Sequence, residues 1–144
     1  RGALYPLGLR SLCFDALGTP PEELEQYVPH LFRHTGCIER CAVPESCMSS
    51  WAHAVRLLYH DNPFHNWFHA FSTFQMCYYQ LSVADLTASL RSVDAFGLLI
   101  AALCHDLDHP GRNNAYLTDH QSELALRYND VSVLENHHAS LACE

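Results

Sequence analysis

The sequence predicts an all-α fold. Apolar residues recur at helical spacing over long stretches. The strict alternation that marks a half-buried strand is absent. The apolar stretches are bounded by Ser, Thr, Asp, Pro and Gly in helix-start and helix-stop order. The length of 144 residues suits one domain, and a hydrophobic content of 49% is enough for a genuine core.

Arg1 to Gly18 is turn-rich and reads as irregular. Thr19-Pro20-Pro21-Glu22-Glu23 then starts a helix, with a capping hydroxyl, prolines near the first turn and acids at the positive helix end. Pro29 is expected to interrupt or end it, and Gly36 closes the region. Pro44-Glu45-Ser46 opens a second helix with Trp51, Val55 and Leu58 as its apolar stripe, ending near Asp61-Asn62-Pro63. His65 to Leu81 reads as a third, burying Phe68, Phe71, Phe74 and Tyr78, and Ser82 to Arg91 as a loop. Ser92-Val93-Asp94 caps a strongly apolar helix through Leu107, which Pro110-Gly111 stops. Ser122 to Tyr128 is a short helix, Asn129-Asp130 a turn, and Val131 to Glu144 a last helix.

Two segments carry the chemistry. Phe64-His65-Asn66-Trp67-Phe68-His69-Ala70 and His105-Asp106-Leu107-Asp108-His109-Pro110-Gly111 each hold two histidines four residues apart, a spacing that shares one face of a helix. Imidazole with carboxylate is the ligand set that zinc and similar divalent ions prefer. A histidine and aspartates closing an apolar stretch would each cost several kcal/mol if buried unpaired, a cost that metal binding removes. A salt-bridged helix terminus is the other reading, with Arg112 the nearby cation. Asp106 has two oxygens and could reach two ions, His69 is the natural partner from the other helix, and His65 would face the site as a proton donor. Spacing alone is weak evidence: His30 and His34 are also four apart, lack flanking acids, and read as structural. Glu135 with His137 and His138 forms a third polar cluster, readable as partners that orient ligands or waters, or as a solvated helix face.

Composition excludes several classes. The net charge is −8 and all eight basic residues are arginine, so no basic stripe supports nucleic-acid binding. An acidic surface repels an anionic membrane, and the longest apolar run, Ala95 to Cys104, is half the length of a spanning helix. Leu4 to Leu12 is too short and interrupted for a signal peptide. Seven cysteines without a regular framework suit a cytoplasmic protein with reduced thiols, Cys77 and Cys104 being core residues. Cys37 and Cys41 beside His34 match no common zinc spacing and read as a plain loop. With no initial methionine and a last helix still running at Glu144, the chain reads as part of a longer protein.

In order and spacing, four stretches resemble the N-terminal half of a class I 3′,5′-cyclic nucleotide phosphodiesterase catalytic domain. They are Phe64-His65-Asn66-x-x-His69-Ala70; His105-Asp106-x-Asp108-His109-Pro110-Gly111-x-x-Asn114; Glu123-Leu124-Ala125-x-x-Tyr128-Asn129-Asp130; and Leu134-Glu135-Asn136-His137-His138. The resemblance is dense from about 62 to 144 and looser before. It implies that residues 1–144 are the N-terminal part of one compact, HD-like helical domain, truncated here. It implies Zn²⁺ held by His69, His105 and Asp106, a second divalent ion (Mg²⁺ or Mn²⁺) bridged by Asp106, and His65 as the acid that protonates the leaving O3′. His109, Asn114 and Glu135 would hydrogen-bond the waters around the ions. The implied activity is hydrolysis of cAMP, cGMP or both to 5′-monophosphates in cyclic-nucleotide signalling.

Phe64 stands where the family usually has tyrosine, and Ser72 where it often has aspartate; neither change touches an implied ligand. The family's fourth zinc-binding aspartate, purine-gripping glutamine and base-stacking aromatic come from the C-terminal half, so nucleotide preference rests on residues beyond these, and the sequence does not specify an oligomeric state. Another His-Asp phosphohydrolase is the alternative, against which Glu135-Asn136-His137-His138 argues. A di-iron carboxylate bundle needs two Glu-x-x-His pairs, and only Glu135 to His138 supplies one.

Overall fold

A computed structural model describes residues 7–84 and 89–144. Among them, after a 3₁₀ turn at Leu7–Arg10, come α1 (Pro21–His34), α2 (Cys37–Arg40), α3 (Glu45–Leu57), α4 (Trp67–Val83), α5 (Ser92–Cys104), α6 (Asn114–Asp119), α7 (Glu123–Arg127) and α8 (Val133–Ala142). No strand occurs among the described residues.

The core is built around α4, which buries Trp67, Phe71, Phe74, Tyr78 and Leu81. It packs along α5 and against α1, and α1 in turn lies along α3. Phe32 of α1 sits between Phe74 (ring centroids 5.5 Å) and Phe96 (5.2 Å), and Phe71 lies 5.9 Å from Phe74. Each such ring contributes about 2–3 kcal/mol by burial, and its tilted neighbours add to that. The one amide on the buried face of α4 is satisfied: Gln75 donates to the carbonyls of Leu9 (2.9 Å) and Ser11 (3.0 Å), tying the N-terminal turn to the core. Trp67 donates to the carbonyl of Pro21 (3.2 Å), joining the starts of α4 and α1. A smaller cluster, Leu117, Ala125, Val133 and Leu134, holds α6, α7 and α8 together.

Several boundaries differ from expectation, each for a local reason. Thr19 does not cap α1; Pro20 occupies the cap position and the Thr19 hydroxyl donates to the carbonyl of Asp15 (2.8 Å). Pro29 does not end α1. The penalty of an interior proline, a lost hydrogen bond plus a ring clash worth about 3 kcal/mol, is outweighed by the face that buries Leu24, Tyr27, Val28, Leu31 and Phe32. The stretch at Cys37 and Cys41, read as a loop, holds the short α2, with Cys37 buried and Gly36 supplying φ 72° before it. On α3 the buried stripe is Met48, Ala52 and Val55, whereas Leu58 lies beyond the helix and is exposed. Ser92 is the first residue of α5 rather than its cap, and α5 ends at Cys104, well before Pro110-Gly111. Helix α4 begins at Trp67, so His65 lies outside it. Helix α6 was not foreseen; the Asn113 side chain caps it by accepting from the Tyr116 N–H (2.9 Å). Ser122 does cap α7, accepting from Ala125 (3.1 Å). The expected loop at Ser82–Arg91 falls partly outside the described residues, as does the start of the Arg1–Gly18 segment.

Glu25 joins α1 to α3, accepting from Arg56 Nε (2.5 Å) and lying 3.1 Å from His53 Nδ1. Burial would raise its pKa, but the bonds from Arg56 and His53 overcome this and leave it lowered. A depressed folded-state value stabilises the fold above the unfolded carboxyl pKa and stops doing so as pH falls through the folded value. Glu25→Gln is therefore expected to cost about 1 kcal/mol at pH 7, with the two melting curves converging below about pH 4. A difference that persisted in acid would show that packing, not charge, joins the helices.

Candidate metal centre

Both histidine pairs were expected to share a helical face, and neither does. His65 precedes α4 and His105 is the residue that caps the end of α5. Residues 105–108 form a turn, and His109 lies beyond it. Two hydrogen bonds and one buried side chain hold that turn. The Tyr59 hydroxyl donates to the Leu103 carbonyl (2.7 Å), Asp108 N–H donates to the Leu58 carbonyl (3.0 Å), and Leu107 is buried beneath. Asp108 adopts φ 55°, a left-handed conformation that aspartate tolerates better than most residues.

The turn nevertheless places His105 and Asp106 against His69. The three ligand atoms form a near-equilateral triangle: His69 Nε2 to His105 Nε2 3.2 Å, His105 Nε2 to Asp106 Oδ2 3.2 Å, and His69 Nε2 to Asp106 Oδ2 3.4 Å. Tetrahedral zinc with bonds of about 2.0–2.1 Å needs ligand atoms about 3.3–3.4 Å apart, so this triangle is one face of a zinc tetrahedron. The tautomer agrees. His105 Nδ1–H donates to the Ala102 carbonyl (3.0 Å), which leaves the Nε2 lone pair pointing into the triangle. Three electron-rich atoms at this spacing repel one another unless a cation or a shared proton sits among them.

Electrostatics reflect that crowding. The bond to Asp106 raises the His105 pKa against opposing burial, whereas burial and then the His105 charge lower that of His69. Burial alone would raise Asp106, but the imidazoles around it, His105 first, hold it below the usual carboxylate value.

On the other side of Asp106 lies a second group that could hold a cation, Asp106 with His109 and His138. His138 Nε2 is 3.9 Å from Asp106 Oδ1. Its Nδ1–H donates to the Leu107 carbonyl (2.5 Å), so its Nε2 is a lone pair. His109 is the opposite tautomer: Gly111 N–H donates to its Nδ1 (3.0 Å), leaving Nε2–H as a donor. In this tautomer His109 donates to a water or an oxyanion, and a cation on this side would meet Asp106 Oδ1 and His138 Nε2 first. Burial, then the neighbouring His65, lowers the pKa of His109.

The remaining expected residues gather around these. The His65 ring stacks on His109 at 3.9 Å and 8°, and lies 6.0 Å from the His69 ring. Asn114 donates to Glu135 Oε2 (2.9 Å) and accepts from the Leu134 N–H (2.9 Å), so it caps α8 while orienting Glu135. That bond lowers the Glu135 pKa. Glu135, His105 and His138 line a hollow of about 390 Å³ between α5 and α8. His137 and His138 are buried, so they are not the solvated helix face that one reading allowed.

Sequence reasoning read Asp108 with the metal-binding aspartates and missed its role as a clamp. Its carboxylate is spent on His60 Nε2 (2.5 Å) and His137 Nε2 (2.7 Å), clamping the segment after α3 to α8 across the turn that carries Asp106. Burial would raise its pKa; His137 and then His60 reverse that. Asp108→Ala is expected to cost about 2–3 kcal/mol, from an unpaired buried imidazole and a strained left-handed backbone. Asp108→Asn, which keeps one acceptor and tolerates that backbone, should recover roughly half. Thermal melts placing both variants at wild type would dismiss the clamp.

The family model described as 3′5′-cyclic nucleotide phosphodiesterase matches residues 64–144. The chain is 38% identical over 134 residues to the human high affinity cGMP-specific 3′,5′-cyclic phosphodiesterase 9A, covering 93% of this chain and 23% of that protein. It is 42% identical over 113 residues to the human high affinity cAMP-specific and IBMX-insensitive 3′,5′-cyclic phosphodiesterase 8A, covering 78% of this chain and 14% of that one. The chain thus spans a quarter or less of these relatives. The crystal structure of the phosphodiesterase domain of the RhoPDE fusion protein from Salpingoeca rosetta superposes with a TM-score of 0.85 at 42% identity, covering 94% of this chain and 42% of that domain.

Proposed function

The chain belongs to the 3′5′-cyclic nucleotide phosphodiesterase family, and from that premise we propose that residues 1–144 are the N-terminal part of one catalytic domain. The domain hydrolyses cAMP, cGMP or both to 5′-monophosphates. The observation that carries this is the His69–His105–Asp106 triangle with the His65–His109 stack beside it. The donor set suits Zn²⁺ in the triangle, with a second ion, Mg²⁺ or Mn²⁺, on the Oδ1 side of Asp106. Bound there, the ions would supply Lewis acidity toward phosphorus and an acidic water.

The chain's own residues do the rest. His105 and His138 keep their Nε2 lone pairs inward because backbone carbonyls hold their Nδ1 protons. His109 offers Nε2–H to developing negative charge, since its Nδ1 is engaged by Gly111. His65 is near the triangle without being part of it, which suits a group that delivers a proton to the leaving O3′. Asn114 holds Glu135 toward the hollow as an acceptor for waters there. Phe64 lies over the His69 ring (4.4 Å) and shields that side from water.

No helix among the described residues is long and apolar enough to cross a membrane. The seven cysteines are free thiols, which supports a cytoplasmic setting. Chelation of the full-length protein is expected to remove its metal and cut cyclic-nucleotide turnover at least about a hundredfold, with recovery on adding Zn²⁺ and Mg²⁺. Undiminished turnover in metal-free protein would overturn the proposal.

A further inference from the structure

Asn62 lies between the two loops that carry the site. Its side-chain NH₂ has two protons and both are spent on backbone carbonyls, His65 O at 3.0 Å and His109 O at 2.7 Å. Its backbone carbonyl accepts from the Asn66 side chain (2.8 Å), whose Oδ1 accepts the His69 N–H (3.1 Å) and so caps α4. Two asparagines in series therefore connect the backbones of His109, His65 and His69. The opposite loop is shaped to admit Asn62: Gly111 has φ 72°, and a Cβ there would stand 2.8 Å from Asn62 Oδ1.

Two neutral imidazoles lying face to face at 3.9 Å gain little from each other, and charges on both make the pair repel. Something else must hold the rings in register. We propose that Asn62 is a positioning residue for the proton donor: by bridging the carbonyls of His65 and His109 it fixes the His65 ring against His109. This rests on the proton-donor reading of His65, and the test separates the two.

Asn62→Ala deletes the bridge. Asn62→Asp keeps its shape but turns a donor into an oxygen facing two carbonyls, and serves should the alanine variant fold poorly. In the full-length protein with histidine-selective isotope labels, the ring resonances of His65 and His109 should move in both variants while those of His137 stay. Turnover of cyclic nucleotide should fall about tenfold to a hundredfold in kcat, with KM within about threefold and metal content unchanged. On a phosphodiester with a p-nitrophenolate leaving group, which needs no protonation, the loss should vanish. Asn62→Ala should add nothing to His65→Ala. Unmoved His65 and His109 resonances, an equal loss on both leaving groups, or a multiplicative double variant would each overturn the assignment. Should His65→Ala leave turnover untouched, the proton-donor reading falls, while the ring resonances still decide whether Asn62 positions the ring.

Discussion

Asp106→Ala is expected to abolish cyclic-nucleotide hydrolysis in the full-length protein, by at least about a thousandfold, and to strip its metal. The size follows from what one carboxylate does in this geometry. Oδ2 closes the triangle with His69 and His105, and Oδ1 faces His138 on the other side. Losing it removes the anionic corner common to both candidate cation positions. Several kcal/mol of transition-state stabilisation goes with it, and each 1.36 kcal/mol is about tenfold in rate. Asp106→Asn separates charge from shape: it fills the same volume but cannot offset the neighbouring imidazoles. His105→Ala should behave alike, since it supplies the lone pair that the Ala102 carbonyl orients. Wild-type turnover or unaltered metal content in either variant would refute the ligand assignment.

His65→Ala is expected to separate chemistry from metal binding. Its ring stacks on His109 and stands 6.0 Å from His69, outside both groups of potential ligands among the described residues. The variant should keep its metal and lose about 10²–10⁴ in kcat, the usual worth of a positioned acid. An activated leaving group should restore most of that loss. Metal loss equal to that of Asp106→Ala would instead make His65 a ligand.

Much of this was legible in the residues. The all-α fold follows from local periodicity, and the apolar face of α4 was read correctly at Phe71, Phe74 and Tyr78. The grouping of His69, His105 and Asp106 was anticipated too, although by an incorrect route. Four-residue spacing suggested shared helical faces, whereas His65 and His109 both lie on loops. The Pro29 boundary failed because burial of one helical face exceeds the penalty of one interior proline. Asp108 resembled a further ligand in sequence, yet its oxygens are taken by His60 and His137, partners that no spacing rule connects to it. Asn62 gave no signal at all, because its role arises only when two loops meet.

The division follows the range of the forces. Residue type and apolar period act over one or two helical turns, so the linear chain already contained its helical class and the metal-loving character of its His-Asp motif. Which histidines and carboxylates come together, and which carboxylate clamps, depended on contacts between distant segments. His69 meets His105 across 36 positions and Asp108 meets His60 across 48. Those contacts exist because burial of the α4 and α5 aromatic core brings the ends of both helices together; there the Leu107 carbonyl sets the tautomer of His138 from 31 positions away, whereas that of His105 is set locally by Ala102.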